Sequence, residues 1–270
     1  MTADAGEVTP AARRAALLAR YYDLDLSEDP GDLDLYLALA RRTGGPILEL
    51  AAGSGRLAVP LARAGFAVTA VDNDPAMLAR ARARWDEPHR RPPRGHDELA
   101  LLEADLLEVD LGAHFGLVLL ALNSLLLLVD RERQAAALRA MTRHLRPDGI
   151  AVVDAWLPAA DELAAYDGRL VHEWTRTDPE TGEQVTKWGS ARFDSATGTV
   201  TLDVFFDASP AEGGPLQRVS RHDRLRLMGA DELVALAAAA GLRTETLAGD
   251  HALSPFGPGA ERAVLVAALV

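Results

Sequence analysis

Apolar positions recur with two rhythms along this chain, and the change of rhythm divides it. Residues 9–22 and 33–42 carry Ala and Leu at helical spacing, and Gly44-Gly45-Pro46 stops the second run. The short apolar run 47–50 (ILEL) ends at small residues, and 67–71 (AVTAV) ends at Asp72. Both read as buried strands. Between them, residues 55–64 place Leu57, Leu61 and Ala64 on one helical face before Gly65. Further strands are predicted at 99–103, 115–122 and 150–155. A helix at 130–145, with Ala136, Leu138, Met141 and Leu145 apolar, leads through a turn at 146–149 into the last of these. From 169 to 227 the spacing switches to polar–apolar alternation, with turn signals at 178–182, 194–198 and 210–215. That rhythm predicts about four antiparallel strands. A helix at 230–240 and strands at 242–247 and 262–270 finish the chain.

Strand, helix and strand over 46–78 make a βαβ unit, whose right-handed crossover leaves the turn after the first strand at the carboxyl edge of the sheet. The expected fold is α/β, a Rossmann-like seven-stranded sheet with helices on both faces, formed by 1–155 and 229–270. Residues 156–228 are expected as an inserted antiparallel β lid.

The carboxyl edge is where ligands bind in such sheets. Gly53 and Gly55 let backbone approach a ligand, and the helix that follows offers unpaired N–H groups. Asp72 at the end of the second strand can accept hydrogen bonds from ribose hydroxyls. Residues 53–58 formally satisfy G-x-G-x-x-A, so an NAD(P) enzyme is one reading. Glu49 opposes it, because a carboxylate just before the turn repels a pyrophosphate and tolerates a ligand carrying an ammonium and a sulfonium. The Tyr-x-x-x-Lys pair of short-chain dehydrogenases is also absent, Lys187 being the only lysine.

The series Glu49-x-Ala51-x-Gly53-x-Gly55 resembles the first motif of class I S-adenosylmethionine (SAM)-dependent methyltransferases, with Ala51 in place of the first glycine. Residues 71–78 (VDNDPAML) are similar to the second motif, and Leu-Arg-Pro-Asp-Gly at 145–149 to the turn before the fifth strand. The likeness runs from 46 to 155 and points to small-molecule enzymes of the glycine N-methyltransferase and aminosugar N,N-dimethyltransferase kind. It implies SAM as cofactor and S-adenosylhomocysteine as product. It implies cofactor contacts from Glu49, Ala51, Gly53, Gly55 and Arg56, ribose and adenine contacts from Asp72, Asn73 and Met77, and adenine contacts from Asp105 and Leu106. Leu122 and Asn123, at the end of the fourth strand, would face the transferred methyl, and Tyr22, in a Tyr-Asp pair, would close over the cofactor. Asp105 has a second reading as a helix N-cap.

A net charge of −12 and a pI of about 5.0 make a polyanionic partner unfavourable. Asn123-Ser124-Leu125-Leu126 also lacks the Pro-Pro-aromatic sequence of amino-methylating nucleic-acid enzymes. Without cysteine there is no disulfide, zinc–thiolate site or thiol nucleophile. Asp154 is the one acid at the fifth-strand end, and Asn123 has no acidic neighbour until Asp130, so no metal is expected. His89 and His96 read as solvated loop residues. The longest apolar stretch, 117–129, is too short to span a bilayer, and the first ten residues carry no secretory pattern, so a cytoplasmic location is expected.

Methyl transfer asks mainly for alignment in a water-poor cavity. His172, His222 and Tyr166 in the inserted region are the candidate catalytic residues, with His251 in the last loop beside them. The expectation is a methyltransferase acting on an N or O nucleophile of a small molecule. A SAM-binding protein that transfers no methyl is the alternative, ahead of the oxidoreductase. The inserted β region is also a candidate homodimer contact.

Overall fold

The computed structural model describes residues 9–28, 30–87 and 99–270; the region of His89 and His96 lies outside the described residues. Helices α1 (Pro10–Asp25) and α2 (Leu33–Thr43) precede β1 (Ile47–Leu50), α3 (Ala58–Arg63), β2 (Val68–Asp72), α4 (Pro75–Asp86), β3 (Leu99–Glu103) and β4 (Phe115–Leu120). Then come α5 (Arg131–Arg143), β5 (Leu145–Trp156), α6 (Ala160–Ala165) and four strands, β6 (Asp167–Thr177), β7 (Gln184–Asp194), β8 (Thr199–Ser209) and β9 (Gln217–Arg226). The chain closes with α7 (Ala230–Ala239), β10 (Leu242–Ala248) and β11 (Arg262–Leu269).

Seven strands form one sheet in the order β10-β11-β5-β4-β1-β2-β3. β1 pairs parallel with both β2 and β4, so the strand order reverses beside β1, while β11 runs antiparallel to its neighbours. Leu48, Leu50, Leu117, Leu119 and Leu120 are fully buried, because apolar clusters cover both faces of the sheet. The reversal leaves a crevice at the carboxyl ends of β1 and β4.

Two predicted boundaries shift. The first crossover helix begins at Ala58 rather than at residue 55, because Gly55 sits at φ +72° in the left-handed region, which a right-handed helix excludes. The predicted turn at 146–149 is instead part of β5: Phe115 pairs with Leu145 and Leu117 with Ile150, so the intervening residues form a wide irregularity in one long strand. Arg146 fixes that irregularity by donating to Gly45 O at 2.9 Å and Thr43 O at 3.1 Å, over a Gly116 whose missing Cβ leaves it room.

The second sheet is the antiparallel series β6-β7-β8-β9, lying in sequence between β5 and α7. One face carries Val185, Val204 and Phe206, and α1 packs there through Leu17, Leu18, Tyr21 and Leu24, with Tyr21 and Phe206 rings 5.2 Å apart. Arg176 of β6 donates to Leu24 O at 2.6 Å and Asp25 O at 2.9 Å, satisfying carbonyls that the end of α1 leaves open. Helix α1 is thus built onto the second sheet. No helix among the described residues is long and apolar enough to cross a membrane.

Replacing Arg146 with Ala removes two charge-assisted bonds to part-buried carbonyls and should cost about 1–3 kcal/mol in denaturant unfolding. A loss below about 0.5 kcal/mol would show that β5 keeps its long form without this anchor.

Candidate functional site

The turn after β1 is bound to β2 by backbone and side chain together. Ala52 N–H donates to Val71 O at 3.0 Å, and Gly53 N–H donates to Asp72 Oδ2 at 2.7 Å. Asp72 Oδ1 accepts from Asp74 N–H at 2.9 Å, so each oxygen keeps one lone pair for a further donor. Burial pushes the Asp72 carboxyl above its ordinary value against these N–H groups. Ala51 (φ 55°), Gly53 (φ 55°) and Gly55 (φ 72°) all take the left-handed backbone, which explains why the turn stays tight although Ala51 stands where glycine is usual. At Gly55 the space is also essential: a Cβ there would fall 2.9 Å from Ala81 Cβ and 3.1 Å from Val59 Cγ2.

Glu49 stands at the end of β1 and is 4% exposed. Its Oε2 has no hydrogen-bond partner among the described residues. Burial raises its pKa to about 8, opposed by the Arg56 guanidinium and the Ala58 N–H, while Asp32 and Asp72 add to the rise. Arg56 is itself committed to Asp32, with bonds of 2.5 and 2.7 Å to its two oxygens. Tyr22 lies over Gly53, where a Cβ would sit 3.9 Å from its hydroxyl, and burial raises its pKa. Asp23, the next residue, accepts from Ser54 Oγ at 2.5 Å and pairs with Arg80 and, at 3.0 Å, with Arg84. The end of α1 is therefore pinned onto the glycine turn.

The other cofactor-contact candidates lie along the same edge, at the ends of four neighbouring parallel strands. Asn73 is exposed and Met77 half-buried at the start of α4. Asp105 Oδ1 accepts from Leu107 N–H at 2.8 Å, capping a turn, while Leu106 packs on the core. The capping geometry occupies one oxygen and leaves the other. Leu122 (φ 51°) and Asn123 (φ 67°) both hold left-handed backbone after β4. Asn123 Oδ1 accepts from Trp156 N–H at 2.8 Å and from Arg262 at 3.1 Å, so this side chain links β4 to β5 and β11.

Asp154 at the end of β5 is fully buried, accepting from Arg262 at 2.7 Å and facing His251 Nε2 at 3.1 Å. Burial works to raise its pKa, but those two partners outweigh burial and hold the carboxyl below its usual value. Asp32, Asp154 and His251 bring ligand-type atoms within 4.8 Å of one another. Arg56 and Arg262 already neutralise both carboxylates, which leaves little charge for a cation.

The candidate catalytic residues spread over the lid. Tyr166 donates to Glu162 Oε1 at 2.6 Å, and its ring lies 6.3 Å from Trp156. His172 pairs across the strands with Trp188, and His222 with Asp203. Strand alternation puts both histidines on the lid face opposite Lys187 and Phe206, away from α1. His222 Nδ1 meets Asp203 Oδ1 at 2.6 Å on that exposed face. The structure thus brings none of the three against the glycine turn, and the residues that touch it from α1, Tyr22 and Asp23, come from outside the βαβ unit.

Glu49 sets a pH dependence with a definite sign. A carboxyl at about 8 in the folded chain, against an ordinary 4.5, binds a proton that the unfolded chain has released. Stability should fall as pH rises between those values and level off above about 8, and Glu49→Gln should lack that component. Parallel wild-type and variant profiles in denaturant titrations from pH 5 to 9 would remove Glu49 from this role.

Residues 47–149 match the methyltransferase domain family. The cypemycin N-terminal methyltransferase of Streptomyces sp is 30% identical over 129 residues, a stretch that is 47% of this chain and 49% of that relative, so the chain spans about half the length of this curated protein. Among solved structures, the sugar N-methyltransferase KedS8 from Streptoalloteichus sp ATCC 53650 is 25% identical, covering 92% of both chains at a TM-score of 0.69. The CcbJ methyltransferase from Streptomyces caelestis is 23% identical and covers 90% of this chain and 92% of its own, at a TM-score of 0.75. A SAM-dependent methyltransferase from Clostridium acetobutylicum ATCC 824 covers 94% and 98% at 16% identity and the same score, a likeness of fold. The match to the methyltransferase domain family spans residues 47–149, and the fold of the chain is the one seen in solved SAM-dependent methyltransferases.

Proposed function

We propose that this protein is a SAM-dependent methyltransferase acting on an N or O nucleophile of a small molecule. The observation that carries the reading is Glu49: a buried carboxylate with an unpartnered oxygen at the mouth of a glycine turn fits a positively charged adenosine compound and disfavours a diphosphate. The left-handed glycines and the two spare lone pairs of Asp72 fit the same group. SAM supplies a methyl group already activated on a sulfonium, so the protein's task is binding, alignment and exclusion of water.

In this reading Asp72 holds ribose, with Asn73 and Met77 beside it, and Asp105 and Leu106 border the base. Ala51, Gly53 and Gly55 give the close backbone, while Glu49 and Arg56 set the charge at the amino-acid end. Leu122 and Asn123 shape the floor below the acceptor, and Tyr22 covers the turn. Tyr166 stands at the lid cavity, whereas His172 and His222 lie on the lid face away from α1. No metal enters this scheme. The charge of −12 supports a partner other than nucleic acid, and the reading includes a cytoplasmic setting and a homodimer contact through the lid sheet.

SAM and S-adenosylhomocysteine should raise the melting temperature, while NADH and NADPH should not; stabilisation by the nicotinamide cofactors alone would reverse the choice. Asp72→Ala should weaken S-adenosylhomocysteine binding by about 1–3 kcal/mol in calorimetry, and unchanged affinity would take Asp72 out of the site. Label from methyl-labelled SAM should appear in a small-molecule amine or alcohol; cofactor binding without transfer to any of a broad panel would favour the non-methylating alternative.

A further inference from the structure

Asn123 stands where the chain leaves β4, at the crevice that the reversal of strand order opens beside β1. Its backbone lies in the left-handed region at φ 67°, next to Leu122 at φ 51°. Residues other than glycine take that conformation at a cost, and the surroundings hold it here: Asn123 N–H donates to Asp154 O at 3.1 Å. The side chain is held as firmly. Its Oδ1 accepts from Trp156 N–H at 2.8 Å and from Arg262 at 3.1 Å, and Arg262 is itself fixed by its 2.7 Å bond to Asp154.

These contacts settle which way round the amide stands. Both partners are donors, so the oxygen must meet them and the NH2 group must diverge from them. The oxygen is therefore turned to the side of β4 that carries β5 and β11, while β1 and its glycine turn lie on the other side. The NH2 group of this half-buried residue meets no acceptor among the described residues. An amide is also the weaker choice for joining these strands. A carboxylate would accept more strongly from an arginine and a backbone N–H, and aspartate visits this backbone region as asparagine does. What the amide alone supplies is a pair of N–H donors, unspent within the protein and held at a fixed place.

We infer that Asn123 seats the methyl acceptor by donating to one of its oxygens, so that the acceptor carries a hydrogen-bond-accepting oxygen at or beside the atom that is methylated. This rests on the methyltransferase reading above and deepens it. A neutral amine nitrogen is not the atom held, because its one lone pair is needed for attack on the methyl, and an ammonium has none. An oxygen has two, one for the N–H and one to spare. Asn123 selects the acceptor, and Arg262 acts through it as a positioning residue.

The test is calorimetry on the full chain saturated with S-adenosylhomocysteine, titrated with pairs in which an ether oxygen replaces a methylene: morpholine and piperidine, methoxyethylamine and butylamine, aminotetrahydropyran and cyclohexylamine. An ether oxygen accepts and cannot donate, so it reads the NH2 group alone. Wild type should bind the ether of at least one pair about tenfold more tightly, although the ether is the less apolar member. Asn123→Asp keeps an oxygen for Trp156 and Arg262 but has no donor, so the ratio should fall to one or below. A side chain that only joined the strands would leave the ratio unmoved. Wild type with no ether preference in any pair, or a preference that survives in Asn123→Asp, would overturn the inference even where S-adenosylhomocysteine binds. Failure of S-adenosylhomocysteine to bind wild type would instead strike the methyltransferase reading and take this inference with it. If Asn123→Asp does not fold, Arg262→Lys takes its place: it keeps a charge beside Asp154 but releases the amide to turn, so the ratio should fall, and an unchanged ratio would overturn the inference.

Discussion

A carboxylate buried near the end of β1, with one oxygen unpaired among the described residues, is the constraint around which the rest of this structure is arranged. Burying an ionised Glu49 without a counter-charge is costly, and its pKa of about 8 records the chain's response: the proton stays on through neutral pH. Arg56 stands near but is held by both oxygens of Asp32, so its charge is already shared. The site is thus poised to exchange a proton for a cation. A pyrophosphate would meet the reverse, since every step towards ionisation of Glu49 would add repulsion.

The chain's many acids also explain how the cover over that site is held. Asp23 reaches Ser54 and two arginines of α4; Asp25 reaches Trp174 at 2.8 Å and Lys187; Asp178, in the β6–β7 turn, pairs with Arg20 at 2.7 Å. Each bond joins α1 to a different body, the glycine turn and α4 in the first case, the lid in the others. Exposed pairs of this kind contribute little singly, but these are largely shielded and share partners. Because Tyr22 sits between Tyr21, packed on the second sheet, and Asp23, pinned to the turn, α1 ties the glycine turn and that sheet into one mechanical unit.

Much of this was legible in the sequence because the core repeats simple rules. Apolar runs ending in Gly, Asp or Asn gave the parallel strands, the turn and Asp72, and alternation between turn signals gave the four lid strands. What escaped depends on contacts between distant residues. Nothing local in Arg-Pro-Asp-Gly announces a strand; Arg146 reaching back to Thr43 and Gly45 makes it one. The histidines of the lid drew attention by their chemistry, yet alternation in β6 and β9 turns them to the far face.

The electrostatic core of this account is best tested by calorimetry of SAM binding from pH 6 to 9, in buffers of different ionisation heats, on wild type and Glu49→Gln. The account predicts that near pH 7 wild type releases close to one proton more than the variant on binding, and that this difference disappears above about pH 9. Equal proton release in the two proteins, with equal affinity, would contradict it.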